Sequence, residues 1–147
     1  MTDRTDVETR DRYGWFFPIQ TRWSDNDIYG HINNVVYYSY FDTVISRFLI
    51  DEGGFDFING RIIGIAVENK FEFKQSIMHP DKIEGGLRIA KIGTSSVRYE
   101  IGIFKEGENE AVAFGHFVHV FVDRDSNRPQ PIPEAIRTAM QGILREP

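Results

Sequence analysis

Three features of this 147-residue chain predict an α+β fold, with one long helix against a curved antiparallel sheet of about five strands. The first is a single long stretch with helical spacing. In it Tyr37, Tyr40, Phe41, Val44, Ile45, Phe48 and Leu49 recur at i, i+3, i+4 and i+7. The second is a change to period two over most of the chain beyond that stretch, the signature of strands with one buried face. The third is the turn punctuation at His79-Pro80-Asp81, Gly93-Thr94-Ser95 and the KEGENE segment from Lys105 to Glu110. These connections are so short that consecutive strands must pair as antiparallel neighbours.

In chain order, MTDRTDVETRDR is charged and polar and reads as a flexible lead-in over about residues 1–13, not as a targeting helix. GWFFPIQTRW is a short strand, and Pro18 places it at an edge or a bulge because proline cannot donate to a ladder. The long helix has Asn33 or Asn34 as its N-cap, since an amide oxygen can accept from the free N–H groups of the first turn. Ser39, Asp42, Thr43, Ser46 and Arg47 form its polar face, and Gly53-Gly54 ends it. Ile63, Ile65, Val67, Phe71 and Phe73 then alternate with Ala66, Glu68, Lys70, Glu72 and Lys74, a half-buried strand whose apolar face only Asn69 interrupts. A strand from about Lys82 to Ile92 comes next, then another through Val97, Tyr99, Ile101 and Ile103. AVAFGHFVHVFV is apolar on both faces and reads as a central strand. Asp123 to Pro131 is loop, and Pro133 opens a short C-terminal helix with Ala135, Ile136, Ala139 and Ile143 inward. Strands of about ten residues span roughly 33 Å at about 3.3 Å each, enough to curve around a single helix. No repeat or linker divides the chain, so residues 1–147 form one domain.

Composition removes several functional classes. A hydrophobic fraction of 41% and an aromatic fraction of 14% describe a folded globular protein. With no cysteine there is no disulfide framework, no thiolate metal site and no cysteine nucleophile. The net charge of −5, without a basic block, argues against a nucleic-acid partner, although a local basic patch could still meet a phosphorylated small molecule. No apolar run has transmembrane length and no signal-peptide pattern appears, so no membrane partner is expected and the cytoplasm is the expected location. GxSxG, P-loop and GxGxxG patterns are all missing, which sets aside serine hydrolases, P-loop NTPases and dinucleotide enzymes.

The chemistry concentrates just before the helix, in DNDIYGHINN from Asp25 to Asn34. The first N–H groups of a helix lack intrahelical partners and carry the positive end of its dipole, so they can stabilise a developing oxyanion. Gly30 permits a tight turn and a close ligand approach. Asp27, upstream across the same loop, is a carboxylate equipped to act as nucleophile or general base. A carboxylate with backbone donors is thin equipment for an amide and adequate for a thioester, whose leaving group needs little acid help. Turn and capping chemistry alone also explains Asp-Asn-Asp before a helix, and the residues by themselves leave both readings open.

DNDIYGHINNVVYYSYF resembles the DxDxxGHVNNxxYxxYF segment of hot-dog-fold acyl-CoA thioesterases of the 4-hydroxybenzoyl-CoA thioesterase type, with Ile32 in place of the usual valine. The resemblance continues at SSVRYE, at GHFVHVFVDRDSNRPQPIP and at the closing helix, and it covers nearly all the chain from about Tyr13. It implies a hot-dog fold and hydrolysis of an acyl-CoA to free acid and CoA. It also implies Asp27 as the catalytic carboxylate and the backbone N–H at Asn34 as the group that polarises the thioester carbonyl. Gly30, His31 and Asn33 shape the loop in such relatives, and Ser95 and Ser96 fall near the pantetheine arm. The same resemblance implies a homodimer or homotetramer with active sites at subunit interfaces, no metal, and no cofactor beyond the CoA of the substrate itself.

Other residues carry weaker signals. Asp25 reads as a hydrogen-bonder of the loop backbone and His31 as a loop stabiliser or general base. Tyr37 is a core residue with its hydroxyl near the pocket, and Asn69 is a polar residue on an apolar face that could line it. His116 and His119 form an HxxH pair, but on a strand they point to opposite faces and cannot share an ion. Lys70, Lys74, Arg88, Lys91 and Arg98 lie on solvated strand faces, where one or two could meet CoA phosphates. Two alternatives stand beside hydrolysis. One is a hydratase or dehydratase on the same fold, disfavoured because Asp27 and His31 lack the DxNPxH arrangement; the other is a non-catalytic acyl-CoA-binding module.

Overall fold

The computed structural model describes residues 7–145. Five antiparallel strands, β1 (Trp15–Ile19), β2 (Ile62–Phe73), β3 (Ile83–Ile92), β4 (Ser96–Lys105) and β5 (Ala113–Asp123), form one sheet in the order β1-β3-β4-β5-β2. Helix α1 (Asn34–Asp51) lies on one face, and a short helix α2 (Glu134–Gly142) closes the chain. This is the hot-dog arrangement. Among the described residues no helix is long and apolar enough to cross a membrane.

The helical periodicity is matched residue for residue: Tyr37, Tyr40, Phe41, Val44, Ile45, Phe48 and Leu49 are the buried positions of α1. They meet the inward face of the sheet, where Leu87, Ile89, Val97, Tyr99, Ile101, Ile103, Phe117 and Phe121 are buried in the same cluster. Phe41 stacks on Phe71 with ring centroids 3.6 Å apart, fixing the N-terminal half of α1 over β2. Among the described residues β1 pairs only with β3, which satisfies the edge position that Pro18 requires. β5 lies between β4 and β2, as its two apolar faces demand.

The expectations for β2 and α2 need correction. β2 does not keep one apolar face, because its register against β5 shifts between Ala66 and Glu68, leaving Val67 as the extra residue of a bulge. Ile63 and Ile65 therefore stand opposite Val122 and Val120 on the outer face, whereas Asn69 and Phe71 stand opposite Phe117 and Gly115 on the helix side. A bulge flips the parity of the strand, so strict alternation across it cannot hold. In α2, Ala135 is exposed, and the buried contacts come from Ile136 and Met140.

The lead-in expectation falls partly outside the described residues. From Glu8 to Tyr13 the chain is tied to the sheet. Ala111 N donates to the Glu8 carbonyl at 2.9 Å, and Tyr13 is buried against Phe104 on the outer face. Arg88 is not a solvated surface charge, because its guanidinium lies 4.6 Å from the Tyr13 ring centroid and pairs with Glu8 and Glu100.

Candidate active site

The segment from Asp25 to Asn33 is a narrow loop closed at three levels. At its tip Asp27 N donates to the His31 carbonyl at 2.8 Å, and Gly30 N to the Asp27 carbonyl at 3.1 Å. Gly30 has φ +81, a left-handed turn that a side chain would strain, and among the described residues beyond its chain neighbours no atom lies within 4 Å of where its Cβ would be. Halfway down, Asn26 and Ile32 form a β-bridge. At the base, Asn33 N donates to the Asp25 carbonyl at 3.0 Å. The neighbouring 75–82 turn braces the loop from outside, with Ile32 N donating to the Ile77 carbonyl at 2.7 Å and His79 N to Asn26 Oδ1 at 2.9 Å.

Asp27 is half-buried, and its Oδ1 accepts from Tyr29 N at 2.9 Å and from His31 N at 3.4 Å. Among the described residues its Oδ2 has no hydrogen-bond partner. One oxygen thus performs the turn chemistry and orients the carboxylate, and the other remains available. The loop leads directly into α1, where Asn33 is the N-cap and its side-chain oxygen accepts from Val35 N at 3.1 Å. The cap serves Val35, so the Asn34 N–H has no partner among the described residues. An unspent N–H at the start of an 18-residue helix is a donor aligned with the dipole.

Asp25 takes a role that the sequence only half revealed. It is 1% exposed, and its carboxylate accepts from Arg22 N at 2.9 Å, from the Arg22 guanidinium at 2.9 and 3.1 Å, and from the Tyr40 hydroxyl at 2.6 Å. Burial works against its charge, but the Tyr40 hydroxyl and Arg22 outweigh it and hold the carboxyl below the usual aspartate range. Tyr40 is pushed upward by burial and by Asp25, so it stays a donor. The available signal was a buried tyrosine among phenylalanine-like positions, whose hydroxyl must find an acceptor.

The remaining candidates separate. His31 is exposed at the loop, and Tyr37 is buried against Phe73 and Phe41 with its hydroxyl pushed up to about 12 by burial. Asn69 is exposed on β2, on the helix side and beyond the bulge. Ser95 and Ser96 form the β3–β4 turn, where the Ser95 carbonyl accepts from Phe121 N at 2.7 Å. That turn is at the far end of the sheet from the loop. Tyr37 packs on Phe73, which is in the row of Ala113 and Ile103, and from Ile103 back to Ser96 is roughly 23 Å at about 3.3 Å per residue. One protomer therefore does not bring Ser95 and Ser96 to Asp27. A cleft of about 550 Å³ lies near the back of the loop, lined by Thr21, His79, Asp81, Glu84 and Glu106 among others, and neither Asp27 nor Asn34 lines it. His116 and His119 do point apart: His116 meets Glu68 on the outer face at 2.8 Å, and His119 is buried on the inner one. Among the described residues no group of three His, Cys, Asp or Glu is placed to hold a metal.

Fold and loop together define a hot-dog protein with an acid-bearing turn before its central helix. Residues 21–140 match the model of the Thioesterase-like superfamily, and the chain belongs to that family. Among solved structures, it is 48% identical to the PA5185 protein from Pseudomonas aeruginosa strain PAO1, over 94% of this chain and 96% of that one, with a TM-score of 0.93. It is 27% identical to a thioesterase complexed with coenzyme A and Zn from Thermus thermophilus, covering 88% of this chain and 98% of that one, with a TM-score of 0.72. A 1,4-dihydroxy-2-naphthoyl-CoA thioesterase from Synechocystis, 15% identical over 86% of this chain and 94% of its own, shares the fold with a TM-score of 0.77. Among curated proteins, none matches this chain significantly.

Proposed function

We propose that this protein is an acyl-CoA thioesterase of the 4-hydroxybenzoyl-CoA thioesterase type, hydrolysing an acyl-CoA to free acid and CoA. The observation that carries the reading is the loop itself. It orients Asp27 through one carboxylate oxygen, leaves the other without a partner among the described residues, and ends at a helix whose first N–H is equally unspent. Family membership supports the reaction class, and the Thermus thioesterase, whose structure contains coenzyme A, supports the substrate class.

In this reading the thioester carbonyl oxygen sits at the Asn34 N–H, and Gly30 leaves room for the approach. The Asp27 carboxylate either attacks the carbonyl carbon or takes a proton from the water that does. In the first route the C–S bond breaks, CoA leaves as thiolate and is protonated by solvent, and water then hydrolyses the mixed anhydride. In the second, water adds directly as its proton passes to Asp27, collapse of the tetrahedral intermediate expels the CoA thiolate, and Asp27 gives the proton up to solvent, from which the thiolate is protonated. The pair of groups supplies both charges, so the proposal assigns no cofactor; CoA enters as part of the substrate. The proposed setting is cytoplasmic.

The oligomer belongs to the same reading. β2 is a twelve-residue edge strand with Ile65 and Val67 exposed, and a second copy paired antiparallel along it would form one continuous sheet. Antiparallel pairing reverses the second sheet, which would carry the partner's Ser95–Ser96 turn to the loop end of the first. The active site of the proposed homodimer, or of a tetramer built from it, is then an interface site.

The test is thiol release from short, long and aromatic acyl-CoAs by wild type and Asp27→Asn, read with a thiol dye to which this cysteine-free chain contributes no background. The expected outcome is hydrolysis that falls on the order of 100-fold or more in a folded Asp27→Asn. Equal rates in the two proteins would remove Asp27 from the chemistry. Tight binding without hydrolysis across the panel would favour an acyl-CoA-binding module, in which Asp27 serves only the turn.

A further inference from the structure

We propose that Asp25 and Tyr40 form the positioning pair of this site, a buried link that fixes the 25–33 loop to α1 and so sets Asp27 against the helix start. The inference rests on the thioesterase reading for its catalytic consequence and on geometry alone for the link.

The carboxylate of Asp25 accepts four hydrogen bonds, and three of them come from Arg22, only three residues away. Those three close a local turn and say nothing about where the loop sits. The Arg22 side chain is also 69% exposed, and an ion pair of that kind adds little rigidity. The fourth bond crosses to another element. Tyr40 Oη donates at 2.6 Å from a ring that is 5% exposed and packed edge-on against Tyr37, with centroids 6.0 Å apart, so the direction of the hydroxyl is set by the core. Tyr40 lies six residues into α1, about 9 Å along its axis at about 1.5 Å per residue. Asp25 is therefore anchored to the body of the helix. At the same time its carbonyl accepts from Asn33 N, the N-cap residue, at 3.0 Å. One residue thus ties the loop base both to the first turn of the helix and to its core face.

The two groups that the reaction needs are on either side of this anchor. Asp27 lies two residues beyond Asp25 on one limb of the loop, and Asn34 comes directly after Asn33 at the foot of the other. Nothing else buried connects the Asp25 limb to α1 among the hydrogen bonds of the described residues. A turn or cap would be complete without Tyr40. The hydroxyl makes sense as the element that prevents the loop from rocking on its N-cap, a displacement of the size (about 1 Å) that can cost on the order of 100-fold in rate.

The experiment uses Tyr40→Phe, which keeps the ring and removes only the hydroxyl, with Asp25→Asn as the second variant should the first fail to fold. Each is read twice, by amide hydrogen exchange and by steady-state kinetics. The expected result is exchange at the Ile32 and Asn33 amides faster by about 10-fold with the β3–β4–β5 ladder unchanged, kcat lower by about 10- to 100-fold, and KM within about 3-fold. Asp25→Asn added to Tyr40→Phe should lower kcat by much less than the product of the two single effects, since both remove one link. Unchanged exchange in the loop, or a lower melting temperature with kcat intact, overturns the proposal. Faster loop exchange in a protein that hydrolyses no thioester supports the link and sinks the thioesterase reading instead.

Discussion

His119 gives the protein an acid-sensitive point far from the loop. Its ring is buried on the inner face, edge-on to Tyr99 at 4.8 Å, and among the described residues its Nδ1 has no hydrogen-bond partner. Among the described residues no carboxylate compensates it, and burial pushes its pKa down to about 4. Unfolded, the same imidazole titrates near about 6.5. Between these values the unfolded chain binds a proton that the folded one refuses, so stability rises with pH across this window and falls as the solution is acidified. The window is roughly 2.5 pH units wide and corresponds to about 3 kcal/mol, of which about 2 kcal/mol is already lost by pH 5. Asp25 acts lower. Its folded pKa is depressed, so its contribution is present above the ordinary aspartate value and is lost only as pH falls through the folded one. The two windows are separable. Urea unfolding of wild type and His119→Leu between about pH 7 and pH 4.5 should give curves that diverge below about pH 6.5, wild type losing about 2 kcal/mol more by pH 5. Parallel curves would show that the folded protein accommodates the imidazolium, and that its burial does not control the titration.

Gly115→Ala should cost about 2–3 kcal/mol in urea unfolding, because its Cβ would land on the Lys70 carbonyl oxygen and 2.7 Å from Phe71 Cα, forcing β5 away from β2; a loss within experimental error would mean that the pair relaxes freely. Val67→Lys alters an exposed residue at the bulge, 56% accessible, so folding should survive. Sedimentation should then show the proposed dimer weakened and thioesterase activity lost with it, whereas a fully active monomer would place the site within one chain.

Much of this fold is legible because its signals are periodic and its core is continuous. The α1 face, the central β5 and the edge position of β1 each arise from a pattern that packing then enforces. Alternation misreads β2 because a bulge is a backbone event with no residue signature here: Val67 continues the apolar alternation at the very position where the register slips. The loop is legible as a cluster of glycine, paired asparagines and acids before an amphipathic stretch, a composition that serves turn, cap and catalysis alike and does not by itself choose among them. The Asp25–Tyr40 bond is not, because it joins a loop residue to a helix position fifteen residues on, and spacing on the helix marks Tyr40 only as core. Nor can the sequence show that Ser95 and Ser96 stand at the opposite end of the sheet from Asp27; that separation is a matter of register.

The two edges of the sheet differ in a way that bears on the site. β1 is five residues long, carries Pro18, and is flanked by Arg47 over the Phe17 ring at 5.0 Å, features that discourage further strand pairing. β2 is twelve residues long and has exposed apolar groups at Ile65 and Val67 between its polar positions. A long edge of this kind invites a strand, and a second copy of the same edge answers with a self-complementary pairing that leaves only the short β1 edges outside. The loop points the same way. Trp23, Ile28, Tyr29 and Val35, all at least 73% exposed, surround the Asp27 turn and the start of α1. Within one protomer these exposed side chains leave the half-buried Asp27 carboxylate open to water on one side, where a thioester carbonyl would gain little from a single N–H donor. Covered by a partner, the same residues would exclude water from the Asp27 carboxylate and the Asn34 donor. The proposed dimer would then close the edge, complete the site and strengthen its electrostatics in one step.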